Sequence, residues 1–182
     1  LTVNGNTVNV ARNFATTGTG TVTMTSVFSL MIISGDALFG GGSTNGLLTA
    51  GEIVVGGNFT QDATTSVTSY APSGSHRTTV GSANPGTISF ASPGAGAAGS
   101  HFMNLNLNNA TGGVTLGVNT IVDNALESSN PAALLVGGGN SLTARIWSVS
   151  GLMVDNAPMI LDEGGTGSAQ AFDNVTFQGF PT

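Results

Sequence analysis

The chain has 182 residues, a formal net charge of −6, no cysteine and no lysine. The missing cysteines exclude disulfides and thiolate metal sites. Arg12, Arg77 and Arg145 are too few and too scattered to hold a phosphate backbone or an anionic bilayer, so neither nucleic acid nor membrane insertion is expected. Hydrophobic residues make up 40%, enough for a sizeable core, but charged residues only 7%, against roughly 25% in an ordinary soluble domain. Gly, Thr, Ser and Asn fill the difference. Such a surface suits strands and turns, because these residues are poor helix formers.

Leu1 to Val10 alternates apolar and polar residues around an Asn4-Gly5-Asn6 turn, and Phe14 closes the run. Thr21 to Thr25 alternates again. Val27 to Ile33 is apolar but for Ser29, as expected of a strand buried on both faces or at a subunit contact. It is far short of the ~20 residues of a spanning helix. Gly40 to Gly46 is a flexible glycine-rich loop, and no Gly-Lys-Ser/Thr follows to make it a phosphate loop.

Leu47 to Phe59 holds the best strand. Gln61 to Thr87 is polar, with short strands at Thr78–Val80 and Thr87–Phe90. Ala91 to Ser100 reads as a loop. Strands follow at Phe102–Leu107, Val114–Val118, Thr120–Leu126, Ala133–Val136, Leu142–Val149, Leu152–Val154, Met159–Leu161 and Phe172–Phe180.

Some of these runs recur. Val8-Asn-Val-Ala-Arg-Asn-Phe14 matches Ile53-Val-Val-Gly-Gly-Asn-Phe59 at an offset of 45 residues, and Ile33 to Phe39 is a looser copy. Phe102-Met-Asn-Leu-Asn-Leu107 matches Phe172-Asp-Asn-Val-Thr-Phe177 at an offset of 70. No window carries a helical period. The expected fold is all-β: a right-handed parallel β-helix, or β-solenoid, of short stacked strands over residues 1–182, with a β-sandwich as the alternative. Phe14, Phe59, Phe102 and Phe172 are expected to fill its interior.

Gly57-Asn-Phe-Thr-Gln61, Ala71-Pro-Ser-Gly-Ser-His-Arg-Thr-Thr-Val80, Ile88-Ser-Phe90, His101 to Leu107 and Gly113-Val-Thr-Leu116 resemble a recurring module of long secreted bacterial surface proteins. That group is filamentous-haemagglutinin-like and autotransporter-passenger-like. The resemblance covers most of the chain and carries no catalytic signature. It implies a parallel β-helix, an extracellular or cell-surface location, a structural or adhesive role, and no cofactor. The numbering is expected to start after a processed leader or inside a longer protein, of which the chain is one module.

Candidate chemistry is sparse. Asp123, Asp155 and Asp173 would be brought together by some stacking registers, as in depolymerases, but solvated turns explain them as well. Asp162-Glu163 offers oxygens for calcium without a calcium-loop spacing. His76 and His101 pair with no distinctive serine, and His76-Arg77 reads as surface. Tyr70 and Trp147 are candidates to stack on sugar rings or to fill the core. Asn58-Phe-Thr60, Asn109-Ala-Thr111 and Asn174-Val-Thr176 are formal glycosylation acceptors or members of an asparagine ladder. No enzyme activity is expected.

Solenoids usually carry caps at their ends, and none is visible here. Leu1, Val3, Val8 and Val10 at one end, and Val175, Phe177 and Phe180 at the other, are therefore the expected contacts with further copies or adjacent repeats. The expected function is a structural subunit of an extracellular filament or surface layer. A glycan-binding adhesive module is the alternative, and a β-helix depolymerase a more distant one.

Overall fold

In the computed structural model, residues 1–81, 85–107, 113–128, 132–161 and 171–178 are described. Among them every strand pairing is parallel. That makes the chain a β-solenoid and rules out the sandwich, whose sheets are antiparallel. One sheet stacks β1 (Thr7–Val10), β3 (Leu30–Ile33), β5 (Glu52–Val55), β7 (Arg77–Val80), β9 (Phe102–Leu107) and β11 (Thr120–Ser128). A second stacks β2 (Phe14–Thr16), β4 (Ala37–Phe39), β6 (Phe59–Gln61), β8 (Gly86–Phe90), β10 (Val114–Leu116) and β12 (Leu134–Val136). The long β13 (Leu142–Asp155) turns a corner and pairs with both β11 and β12. β14 (Met159–Leu161) and β15 (Ala171–Gln178) pair with β13.

A third side is thinner. It consists of isolated bridges such as Thr2 with Thr23 and Met24 with Leu48, until β9, β11 and β13 run round onto it. The single helical feature among the described residues is a 3-10 turn at Gly96–Ala98, inside the loop expected at Ala91–Ser100. Glycine, serine and asparagine at the corners leave no window long enough to nucleate an α-helix.

Thr7 stands over Leu30 and Leu30 over Glu52, steps of 23 and 22 residues. The 45-residue match therefore spans two coils in register, with Val8 above Met31 and Ile53, and Phe14 above Ala37 and Phe59. The 70-residue match does not. Phe172 stands against Val149, in the column of Ser128, whereas Phe102 stands against Val122. Side chains of β15 lie outside the described residues, so the inward expectation for Phe172 cannot be placed.

Alternation decides what is inside. In β5, Ile53 and Val55 point inward and are fully buried, while Glu52 and Val54 point out. Each such buried aliphatic side chain contributes about 1.5–3 kcal/mol. Aromatic rings form the centre of the core. Phe59 lies 5.5 Å from Phe39, 4.7 Å from Tyr70, 5.5 Å from Phe90 and 4.8 Å from Phe102 between ring centroids.

The apolar run at Val27–Ile33 is not buried on both faces. Met31 and Ile33 enter the core, Leu30 and Ile32 face outward half-buried, and Val27 and Phe28 are exposed. Gly40 and Gly41, expected to be flexible, are buried and Gly42 half-buried in close contact with the preceding coil, and a Cβ at Gly41 would collide with the Gly20 carbonyl.

Candidate functional site

The free edge of the first coil is the first candidate. The N–H groups of Leu30 and Ser34 donate to the carbonyls of Asn6 and Val10. The N–H of Phe14 donates to Asp36, and that of Gly40 to the carbonyl of Thr16. Backbone polar groups alternate sides along a strand, so those of Thr7, Asn9, Asn13 and Ala15 face away from the stack. No described strand pairs with them, and β1 and β2 are the two ends of the sheet path.

The inward side chains of this coil reveal the same opening. Val8, Val10 and Phe14 are only half-buried, whereas Met31, Ile33, Ile53, Val55 and Phe59 beneath them are fully buried. Leu1 is 55% exposed, but Val3 is buried under its pairing with Thr23. Val3 is thus a core residue and not the contact residue expected from sequence. At the other end, Val175 and Phe177 sit on β15 opposite Leu152 and Val154, and Phe180 lies outside the described residues.

A ladder of side-chain carbonyls crosses the corner beside β2. Asn13 Oδ1 accepts the Asp36 N–H at 3.0 Å, Asp36 Oδ1 accepts the Asn58 N–H at 2.7 Å, and Asn58 Oδ1 accepts the Thr87 N–H at 2.9 Å. Asn58 therefore serves the ladder expected as one reading of its Asn-Phe-Thr motif. Asn109–Thr111 lies outside the described residues, and so does the side chain of Asn174.

A polar groove of about 470 Å³ is the second candidate. Glu52, Arg77, Asn104, Asn124 and Glu127 line it. Arg77 binds Glu127 at 2.9 Å across the intervening β9. Glu52 accepts the Thr79 hydroxyl at 2.6 Å. Asn104 is 8% exposed. It donates to the His76 carbonyl at 2.9 Å and accepts from Asn124 at 2.7 Å. Gly51 and Gly74 form part of the floor. Gly51 has φ +80°, and a Cβ there would stand 2.6 Å from the Ser29 carbonyl oxygen, so a larger residue would part the two coils.

The expected aromatic platform is absent from Tyr70 and Trp147. Tyr70 is 0% exposed and Trp147 5% exposed, so neither can stack on a sugar. The Tyr70 hydroxyl finds its polar partner inside, at Thr78 Oγ1, 2.6 Å away, and its burial pushes its pKa up. The Trp147 N–H donates to the Ala144 carbonyl at 3.3 Å. Among the described residues, Phe28, 80% exposed, is the large aromatic that does face solvent. The reading of Val27–Ile33 as one buried strand hid it.

The remaining candidates separate. His76, expected at the surface, is buried. Its Nδ1 donates to the Ala50 carbonyl at 2.9 Å, since a carbonyl can only accept, and burial pulls its pKa down to about 4. His101 is buried against the carbonyls of Pro72 and Gly94, at 2.8 and 3.1 Å, with Asp123 at 3.3 Å. These contacts tie the 91–100 loop to the stack.

Asp123 lies in the irregularity between Val122 and Ala125, Asp155 opposite Val136, and Asp173 opposite Ser150. Asp123 and Asp155 stand in different columns of the stack, and the side chain of Asp173 lies outside the described residues. No cluster of three or more metal-ligating side chains occurs among the described residues, and Asp162 and Glu163 lie outside them. No described helix is long and apolar enough to cross a membrane. Comparison with protein-family models, curated proteins and solved structures finds no match.

Proposed function

We propose that the protein is a non-enzymatic structural unit of an extracellular bacterial filament or surface layer, extended coil on coil through the open edge of its first coil. The observation that carries this reading is the partial burial of Val8, Val10 and Phe14 above fully buried counterparts. A further coil would cover those side chains and engage the outward backbone groups of Thr7, Asn9 and Ala15. Edges that stay free are normally guarded by lysine, proline or an inward charge. β1 and β2 contain none of these. Head-to-tail addition of this kind builds an open fibre.

The corner ladder sets the register of the addition. The Asn13 N–H occupies the place that the Asp36 and Asn58 N–H groups occupy one and two coils below. An incoming coil with an asparagine or aspartate carbonyl at that place continues the ladder.

Placing a charge in the stacking surface tests the reading. Val8→Lys combined with Ala15→Pro should leave the circular dichroism of residues 1–182 unchanged, because lysine keeps the backbone N–H that Val8 turns toward β3 and the Ala15 N–H faces away from β4. Light scattering and negative-stain imaging should show fibres for the parent and a monodisperse monomer for the variant. A parent that stays monomeric at high concentration, or a variant that assembles as well as the parent, overturns the proposal.

A further inference from the structure

We propose that the Glu52–Arg77–Glu127 groove binds an uncharged, hydroxyl-rich chain, a neutral oligosaccharide. The site does not depend on the assembly reading and lies on a different surface from the open edge.

The shape of the groove asks for an elongated ligand. Its lining comes from five successive coils: Val27 before β3, Glu52 in β5, Arg77 in β7, Asn104 in β9, and Asn124 with Glu127 in β11. Four strand spacings separate the first from the last, about 19 Å at 4.7–4.9 Å each. Its volume, about 470 Å³, falls in the range of sites for small organic ligands.

Charge decides the class. The Arg77 guanidinium is matched by Glu127 at 2.9 Å, which leaves the Glu52 carboxylate in excess on a chain of net charge −6. Phosphates, sulfates and uronic acids are therefore disfavoured. What remains is a dense set of neutral and paired acceptors and donors: two carboxylates, a guanidinium, two amides and the Ser75 hydroxyl. Vicinal hydroxyl groups, each both donor and acceptor, satisfy such a set.

The lining is also held in place before any ligand arrives. Asn104 is fixed by His76 and Asn124, and Glu52 by Thr79. A ligand thus meets a surface whose side-chain entropy is already lost.

The rim supplies the apolar contact. Val27, which lines the groove, is 65% exposed, and Phe28 next to it is 80% exposed. The C–H face of a sugar ring is apolar while its edge is polar. In the proposed complex that apolar face sits on Val27 and on the ring of Phe28, which follows Val27 in the chain, and the polar edge on the amides and carboxylates. A protein partner would need a contiguous apolar patch of several hundred Å², and the groove interior offers polar groups instead.

The test uses residues 1–182 with cellohexaose, mannohexaose, maltohexaose and, as the anionic comparison, hexagalacturonate. Saturation-transfer NMR and calorimetry should show at least one neutral hexamer binding, its trimer binding more weakly, and hexagalacturonate not binding. Phe28→Ala and Arg77→Ala should each weaken the neutral hexamer about tenfold or more, with circular dichroism unchanged. The proposal is overturned if no neutral hexamer binds, if hexagalacturonate binds best, or if both variants bind like the parent. It is equally overturned if Phe28→Ala changes only the association state of the protein, which would make the rim a protein contact.

Discussion

Phe59→Ala should lower the unfolding free energy by about 3–5 kcal/mol, while Phe28→Ala should change it by no more than about 0.5 kcal/mol. Both lie in apolar runs, and only the fold separates them. Phe59 is fully buried among Phe39, Tyr70, Phe90 and Phe102. Its removal opens a cavity whose walls are rings held by three different coils, which cannot collapse together without shifting strands. Phe28 is 80% exposed and loses little when shortened. Urea denaturation of the two variants gives the comparison. Because a solenoid's stability is a sum over neighbouring coils, hydrogen exchange should show the Phe59 loss concentrated in β4, β6 and β8. Equal midpoints for Phe59→Ala and the parent would place Phe59 outside the core and break the coil register.

The second large effect is one of pH. His76 is buried and takes up its second ring proton only below about 4, against an ordinary value of 6.5, because burial outweighs the hydrogen bond to Ala50. Between those two values the unfolded chain takes up a proton that the folded chain refuses. Stability therefore falls as pH drops from about 6.5 to about 4, and this group adds no slope outside that window. A shift of that size corresponds to ~3 kcal/mol. Urea denaturation at steps across the window should show the parent losing that much more than His76→Gln, whose remaining slope belongs to carboxylates. Superimposable slopes would show that the ring is reached by solvent.

The fold class was legible because strand, corner and turn residues follow each other without a helical interval. The coil length was not. The column of Phe14 and Phe59 holds Ala37 in between, and the missing volume is supplied by Phe39 from the same strand, 5.8 Å from Phe14 and 5.5 Å from Phe59. Filling space with a ring from a different position masks a one-coil period and leaves only the two-coil match visible.

Of the two readings of Tyr70 and Trp147, burial selects the core. Tyr70 stands in a polar stretch, and the Thr78 hydroxyl that permits its burial announces nothing in sequence. The alternation at Val8 and Val10 was legible as a strand, and both side chains lie half-buried on β1. The groove could not be read at all. Glu52, Arg77, Asn104 and Ala125 follow one another in one column at steps of 25, 27 and 21 residues. Without the coils, Glu52, Arg77 and Glu127 are three isolated charges.

The direction of the strands has a mechanical consequence. They run across the long axis of the stack, so the hydrogen bonds between coils lie along it. A pull between the two ends loads those bonds in series, and the coil nearest the grip gives way first. Glu52 stands 22 residues after Leu30 in the column, so each released coil adds roughly 75 Å of slack at 3.3–3.6 Å per residue. Under tension the molecule should lengthen as a staircase of near-equal steps and rewind when slackened, behaving as an extensible link in whatever it joins.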